Sequence, residues 1–71
     1  MTVAELLAQL QALPQDSDVI IEHVIEDLKE HYAKPLYRTE QDTWYYTKHW
    51  EEYLPTQSRI FNERRNVVIL K

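Results

Sequence analysis

Seventy-one residues carry twelve acids against eight bases, with three histidines, no cysteine and no glycine. A chain this short makes one domain, residues 1–71, and buries only about 60% of its unfolded surface. The missing thiols exclude disulfides, Cys-ligated zinc and thiol catalysis.

The first element reads most clearly. Val3, Leu6, Leu7, Leu10 and Leu13 follow helical spacing, so they form one stripe on a 3.6-residue helix. Ala4, Ala8 and Ala12 widen the stripe and favour the helix intrinsically. Thr2-Val3-Ala4-Glu5 is a capping box, with the Thr2 hydroxyl on the first turn and Glu5 reaching back to the Thr2 amide. Pro14 disfavours helical geometry at Leu13, so the helix should stop at about Ala12. Gln15-Asp16-Ser17-Asp18 supplies turn chemistry. The β-branched run Val19-Ile20-Ile21 predicts a strand over Asp18–His23, buried on both faces beneath the helix. Leu6, Leu7 and Leu10 should then face Val19, Ile21 and Ile69.

Residues 21–33 are ambiguous. Ile21, Val24, Ile25, Leu28 and Tyr32 match a helical stripe, while Glu22, Glu26 and Glu30 are like-charged neighbours that weaken one. The reading adopted is strand to about His23, then a short helix from Ile25 to Tyr32 ended by Lys34-Pro35. Leu36 to Tyr46 suits a hairpin around Glu40-Gln41-Asp42. The competing reading is a helix beginning near Asp42, with Tyr46, Trp50, Tyr53 and Leu54 as its stripe, stopped by Pro55. The expectation is a strand over 43–47 and one or two helical turns over 48–54. Arg59-Ile60-Phe61 and Asn66–Leu70 read as two closing strands around Asn62-Glu63-Arg64-Arg65, the second an inner strand beside 18–23. Without glycine, connections must be long or made by Asp, Asn and Pro. The fold class is α+β: an N-terminal helix packed on a small, mostly antiparallel sheet, with one or two short additional helices.

The opening, Thr-Val-x-Glu-Leu-Leu with Leu-Pro-x-Asp and Val-Ile-Ile behind it, and the closing Val67-Val68-Ile69-Leu70 resemble a loose group of small, mostly uncharacterised proteins of bacteriophages, prophages and bacterial genomes. The likeness covers about the first 22 residues and the last few. It is architectural and carries no functional residue. It implies a phage-encoded or mobile-element accessory protein acting on a host or defence protein.

Chemistry is sparse. His23 and His31 lie eight residues apart, which leaves their rings roughly 80° apart on a helix, and with His49 they match no metal cage. Glu26/Glu30 and Glu51/Glu52 could pair as acid and base, but nothing places either pair in a cleft. No phosphate-cradling loop or nucleophile motif is present. The expectation is no enzyme, no metal and no cofactor. Residues 1–35 carry seven acids against two bases, and residues 36–71 five against six. That argues against nucleic acid, which wants a basic face, and suits a partner with a basic or apolar surface. With no signal peptide and no apolar run near the roughly 20 residues that span a bilayer, the expected setting is cytoplasmic.

The sharpest feature is aromatic. Trp44, Tyr45, Tyr46, Trp50 and Tyr53 lie within ten residues. No regular geometry points them all one way, so some rings fill the core and others meet solvent. Tyr and Trp are the residues that anchor interfaces. The candidate protein-binding residues are Trp44, Tyr45, His49, Trp50, Glu51, Glu52 and Tyr53. Self-association through the same patch is the competing use. The alternative is stacking on nucleic acid, with Arg38, Lys48, Arg59, Arg64 and Arg65 as the cations.

Overall fold

The computed structural model describes residues 1–22 and 35–71. In chain order the elements are helix α1 (Val3–Gln11) and strands β1 (Asp18–Ile21), β2 (Thr39–Thr47), β3 (Glu52–Leu54) and β4 (Glu63–Leu70). The helix predicted over 25–32, like His23 and His31, lies outside the described residues.

Both ends of α1 are set by local chemistry. The Thr2 hydroxyl accepts the Glu5 N–H at 3.2 Å and donates to the Glu5 carboxylate at 3.0 Å. Glu5 therefore meets the cap through the hydroxyl rather than the amide. At the other end Ala12 donates its N–H to the carbonyls of Gln9 and Leu10. The Gln15 side-chain amide reaches back to the carbonyls of Leu10 and Leu13, each at 2.8 Å. It thereby satisfies acceptors that a helix end leaves unpaired.

The sheet runs β1-β4-β2-β3. β1 pairs with β4 in parallel, while β4–β2 and β2–β3 are antiparallel. The sheet is therefore mixed, not mostly antiparallel. Val67, Val68 and Ile69 are 1–2% exposed. Alternate residues point to opposite faces, so this run buries both faces of β4 and belongs inside the sheet. No hairpin ties β4 to β1, so their directions are free to match.

Directly paired residues share a face. One face carries Asp18, Ile20, Arg65, Val67, Ile69, Trp44, Tyr46 and Tyr53; the other carries Val19, Ile21, Val68, Leu70, Thr39, Tyr45 and Leu54. Helix α1 lies on the second face. Gln9 Oε1 accepts from the Thr39 N–H at 3.2 Å and from its hydroxyl at 2.7 Å, and Leu10 and Leu13 line a shallow hollow with Val19 and Val68. Ile69 faces away from the helix. The expected lid is correspondingly thin: no α1 residue is fully buried, Leu7 is 54% exposed, and Val19 and Ile21 are 58% and 73% exposed. β1 ends at Ile21 and is an edge strand, not one buried on both faces.

Four further expectations change. Glu40-Gln41-Asp42 is not a turn: it lies in β2, opposite Ile69, Val68 and Val67, because a long apolar β4 supplies a ladder that overrides weak local propensity. Lys48–Leu54 is not helical. Lys48–Glu51 is a tight connection leading into β3. Glu51 takes a left-handed φ of 51°, the role glycine would otherwise fill. Arg59–Phe61 is not a strand but a loop, held by Ser58 N–H donating to the Phe61 carbonyl at 3.2 Å. Glu63–Arg65, expected as a turn, begins β4 opposite Tyr46, Tyr45 and Trp44. Among the described residues no helix besides α1 is present, and none is long and apolar enough to cross a membrane.

Candidate functional site

The β2–β3 hairpin carries all seven candidate binding residues and divides them. Lys48, His49, Trp50 and Glu51 form the exposed tip. Its base is fixed by Thr47, 5% exposed, whose hydroxyl accepts the His49 N–H at 3.3 Å. The Trp50 ring, 50% exposed, meets the His49 ring edge-on at 5.0 Å and lies 6.3 Å from Phe61. The loop before β4 thus props the tryptophan from one side and leaves the rest to solvent. Glu52, opposite Thr47, is exposed. Two carboxylates therefore adjoin an upright aromatic.

Trp44, Tyr45 and Tyr53 are half-buried and belong to the sheet. Tyr45 lies on the α1 face, opposite Leu54 and Arg64. Trp44 and Tyr53 lie on the other face, and the Trp44 indole donates to Asp42 at 3.3 Å.

Tyr53 is part of a cluster that spans the sheet. β1 and β3 are opposite edges, yet the Tyr53 hydroxyl donates to the Asp18 carboxylate. The sheet is curled enough to bring its two edges within reach of one side-chain pair. Arg65 stands between them. Its guanidinium is 3.1 Å from Asp18 Oδ2, 3.0 Å from Glu63 Oε1 and 3.9 Å from the centre of the Tyr46 ring. Tyr46 in turn packs against Tyr53 at 4.9 Å. The Tyr53 hydrogen bond, more than the neighbouring Arg65 charge, holds the Asp18 carboxyl below the usual carboxylate range, against an opposing push from burial. Burial, then the bond to Asp18, raises the Tyr53 phenol above its ordinary value. The hydrogen bond to Asp18 keeps Arg65 firmly protonated. Asp18, Tyr53, Glu63 and Arg65 thus bond one another and form a clasp across the sheet.

Sequence reasoning did not find Asp18, Glu63, Arg65 or Phe61 as partners of the aromatics. Arg65 sits two residues before Val67, on the same face, so period-two alternation places it beside the core. Its pairing with Asp18 depends on β1 lying next to β4, which alternation alone does not give. Among the described residues no three histidines or carboxylates gather to hold a metal ion. Comparison of the chain with known protein families, with curated proteins and with solved structures finds no match.

Proposed function

We propose that this chain is a non-enzymatic, protein-binding accessory factor, encoded by a phage or mobile element and acting in the cytoplasm on a host or defence protein. The setting rests on the resemblance of its two ends to small phage and prophage proteins. The binding mode rests on one observation: Trp50 is half exposed at a hairpin tip, propped by Phe61 and flanked by Glu51 and Glu52. Tryptophan anchors binding best when it fills a partner's apolar pocket. The two carboxylates would steer encounter with an Arg- or Lys-rimmed surface. Nucleic acid ranks lower, because Arg65 is committed to Asp18 and Glu63 and so leaves the cation set that phosphates would need.

Capture from a bacterial host lysate, read by mass spectrometry, tests this reading with wild type and Trp50→Ala side by side. The wild type should retain a specific protein. Trp50→Ala should lose it, with affinity falling on the order of 30-fold for a hot-spot loss of about 2 kcal/mol, while circular dichroism stays native. Glu51→Lys with Glu52→Lys should slow association. A dimer seen by sedimentation and lost in Trp50→Ala would instead make this patch a self-association surface. Equal capture by both forms would remove Trp50 from the site.

A further inference from the structure

The curl that joins Asp18 to Tyr53 leaves a groove between the outer edges of β1 and β3. Its volume is about 520 Å³, and its lining includes Ile20, Ile21, Trp44, Tyr53 and Leu54 together with the acids Glu22 and Glu52. Among the described residues neither strand has a neighbour on its outer side. Each edge is only three or four residues long, too short to recruit a strand strongly alone. The pairings make β1, β4 and β3 run the same way, with β2 opposed. A strand lying between β1 and β3 could therefore run antiparallel to both, the more stable arrangement, and close the curl by adding two ladders at once.

We infer that this groove receives one extended segment of a partner protein, apolar at alternate positions and basic between them, running antiparallel to both β1 and β3. Alternation follows from the walls. Ile20, Trp44 and Tyr53 share one face of the sheet, so a seated strand turns every second side chain onto them. The remaining side chains emerge on the face of Glu52 and Leu54. Among the described residues Glu52 enters no ion pair, and Glu22 meets only Lys71, at 3.8 Å. A lysine or arginine on the incoming segment completes that charge arrangement, in keeping with the chain's net −4. The inference shares with the proposed function the class of partner and the carboxylate of Glu52, but its surface lies along the strand edges and not at Trp50.

The test is a ¹⁵N–¹H titration of the full chain with an eight-residue peptide of alternating valine and lysine, blocked at both ends. Amide shifts should concentrate at Val19–Ile21 and Glu52–Leu54. A peptide with glutamate in place of lysine should bind at least about tenfold more weakly, as should one with N-methylated backbone amides, which cannot form the ladders. Glu52→Lys should weaken the lysine peptide similarly, and Trp44→Ala more, provided its spectrum remains native. Trp50→Ala should bind it like wild type, so a failure here and a failure of the hairpin-tip reading are distinguishable. Shifts absent from both edges, or equal binding by the glutamate or N-methylated peptide, would overturn the inference.

Discussion

Ile69→Ala should lower the thermal midpoint by roughly 8–40 °C. Ile69 is 2% exposed, lies on the central strand β4, and is flanked by Ile20 on β1 and Glu40 on β2. Truncating a buried isoleucine to alanine removes three carbons from a packed site and leaves a cavity, at a cost of about 2–5 kcal/mol. A domain of this size has on the order of 4–11 kcal/mol in all, and each kcal/mol moves its midpoint by about 4–8 °C. Val68→Ala should cost less, because fewer atoms are lost. Leu10→Ala, on a helix with no fully buried residue, should cost less than a core isoleucine. Val3→Ala, at a position 84% exposed, is the control and should leave the melt unchanged. A melt of Ile69→Ala within a few degrees of wild type would mean that β4 is not the centre of the core.

That ranking inverts the one suggested by the N-terminal stripe, and the reason is instructive. Val3, Leu6, Leu7, Leu10 and Leu13 announce a helix, and a helix forms with the cap and stop read from Thr2 and Ala12. Periodicity tells which residues share a face. It does not tell how much of that face is covered. The apolar run Val67–Leu70 was legible for a related reason: a run without alternation suits a strand covered on both sides, as β4 is, although the same reading failed for the run Val19–Ile21 on the edge strand β1. Its parallel pairing with β1 was not, because strand direction is set by the chain between them. The middle misled where local propensity and partner disagreed. Glu40-Gln41-Asp42 has turn composition but lies opposite Ile69, Val68 and Val67. Trp50, Tyr53 and Leu54 have helical spacing, yet the connection between β2 and β3 closes because Glu51 accepts a left-handed φ, which composition alone does not forecast. Of the seven candidate residues, His49, Trp50, Glu51 and Glu52 are exposed at or beside the tip, whereas Trp44, Tyr45 and Tyr53 are half-buried in the sheet. The rings divide between the sheet and the tip, but none is fully buried, so none fills the core as expected; which ring goes where needed the strand register.

The clasp between β1 and β3 should make stability depend on pH at both extremes, and single substitutions should remove the two limbs separately. Asp18 has its carboxyl lowered, chiefly by the Tyr53 hydrogen bond and further by Arg65. A carboxyl whose folded pKa lies below its unfolded value of about 3.9 contributes stability that is fully present above that value. The contribution is lost as pH falls through the folded pKa. Tyr53 is raised, chiefly by burial and then by the bond to Asp18. A phenol raised above its unfolded value of about 10 contributes stability present below that value and lost as pH rises through the folded pKa. The melting temperature should therefore be flat from about pH 5 to 9 with respect to this pair. Tyr53→Phe removes a hydrogen bond to a charged acceptor, worth about 1.5–3 kcal/mol, or roughly 6–24 °C here. It should abolish the clasp's alkaline limb. It should also shift the Asp18 titration upward toward the ordinary range, a change readable from the carboxyl carbon by NMR. Asp18→Asn should flatten the clasp's acid limb while sparing the fold at pH 7. If Tyr53→Phe leaves both the Asp18 titration and the melt unchanged, the two edges are not held together by this bond, and the curl must come from Arg65 bridging Asp18 and Tyr46 and from the packing of Tyr46 against Tyr53.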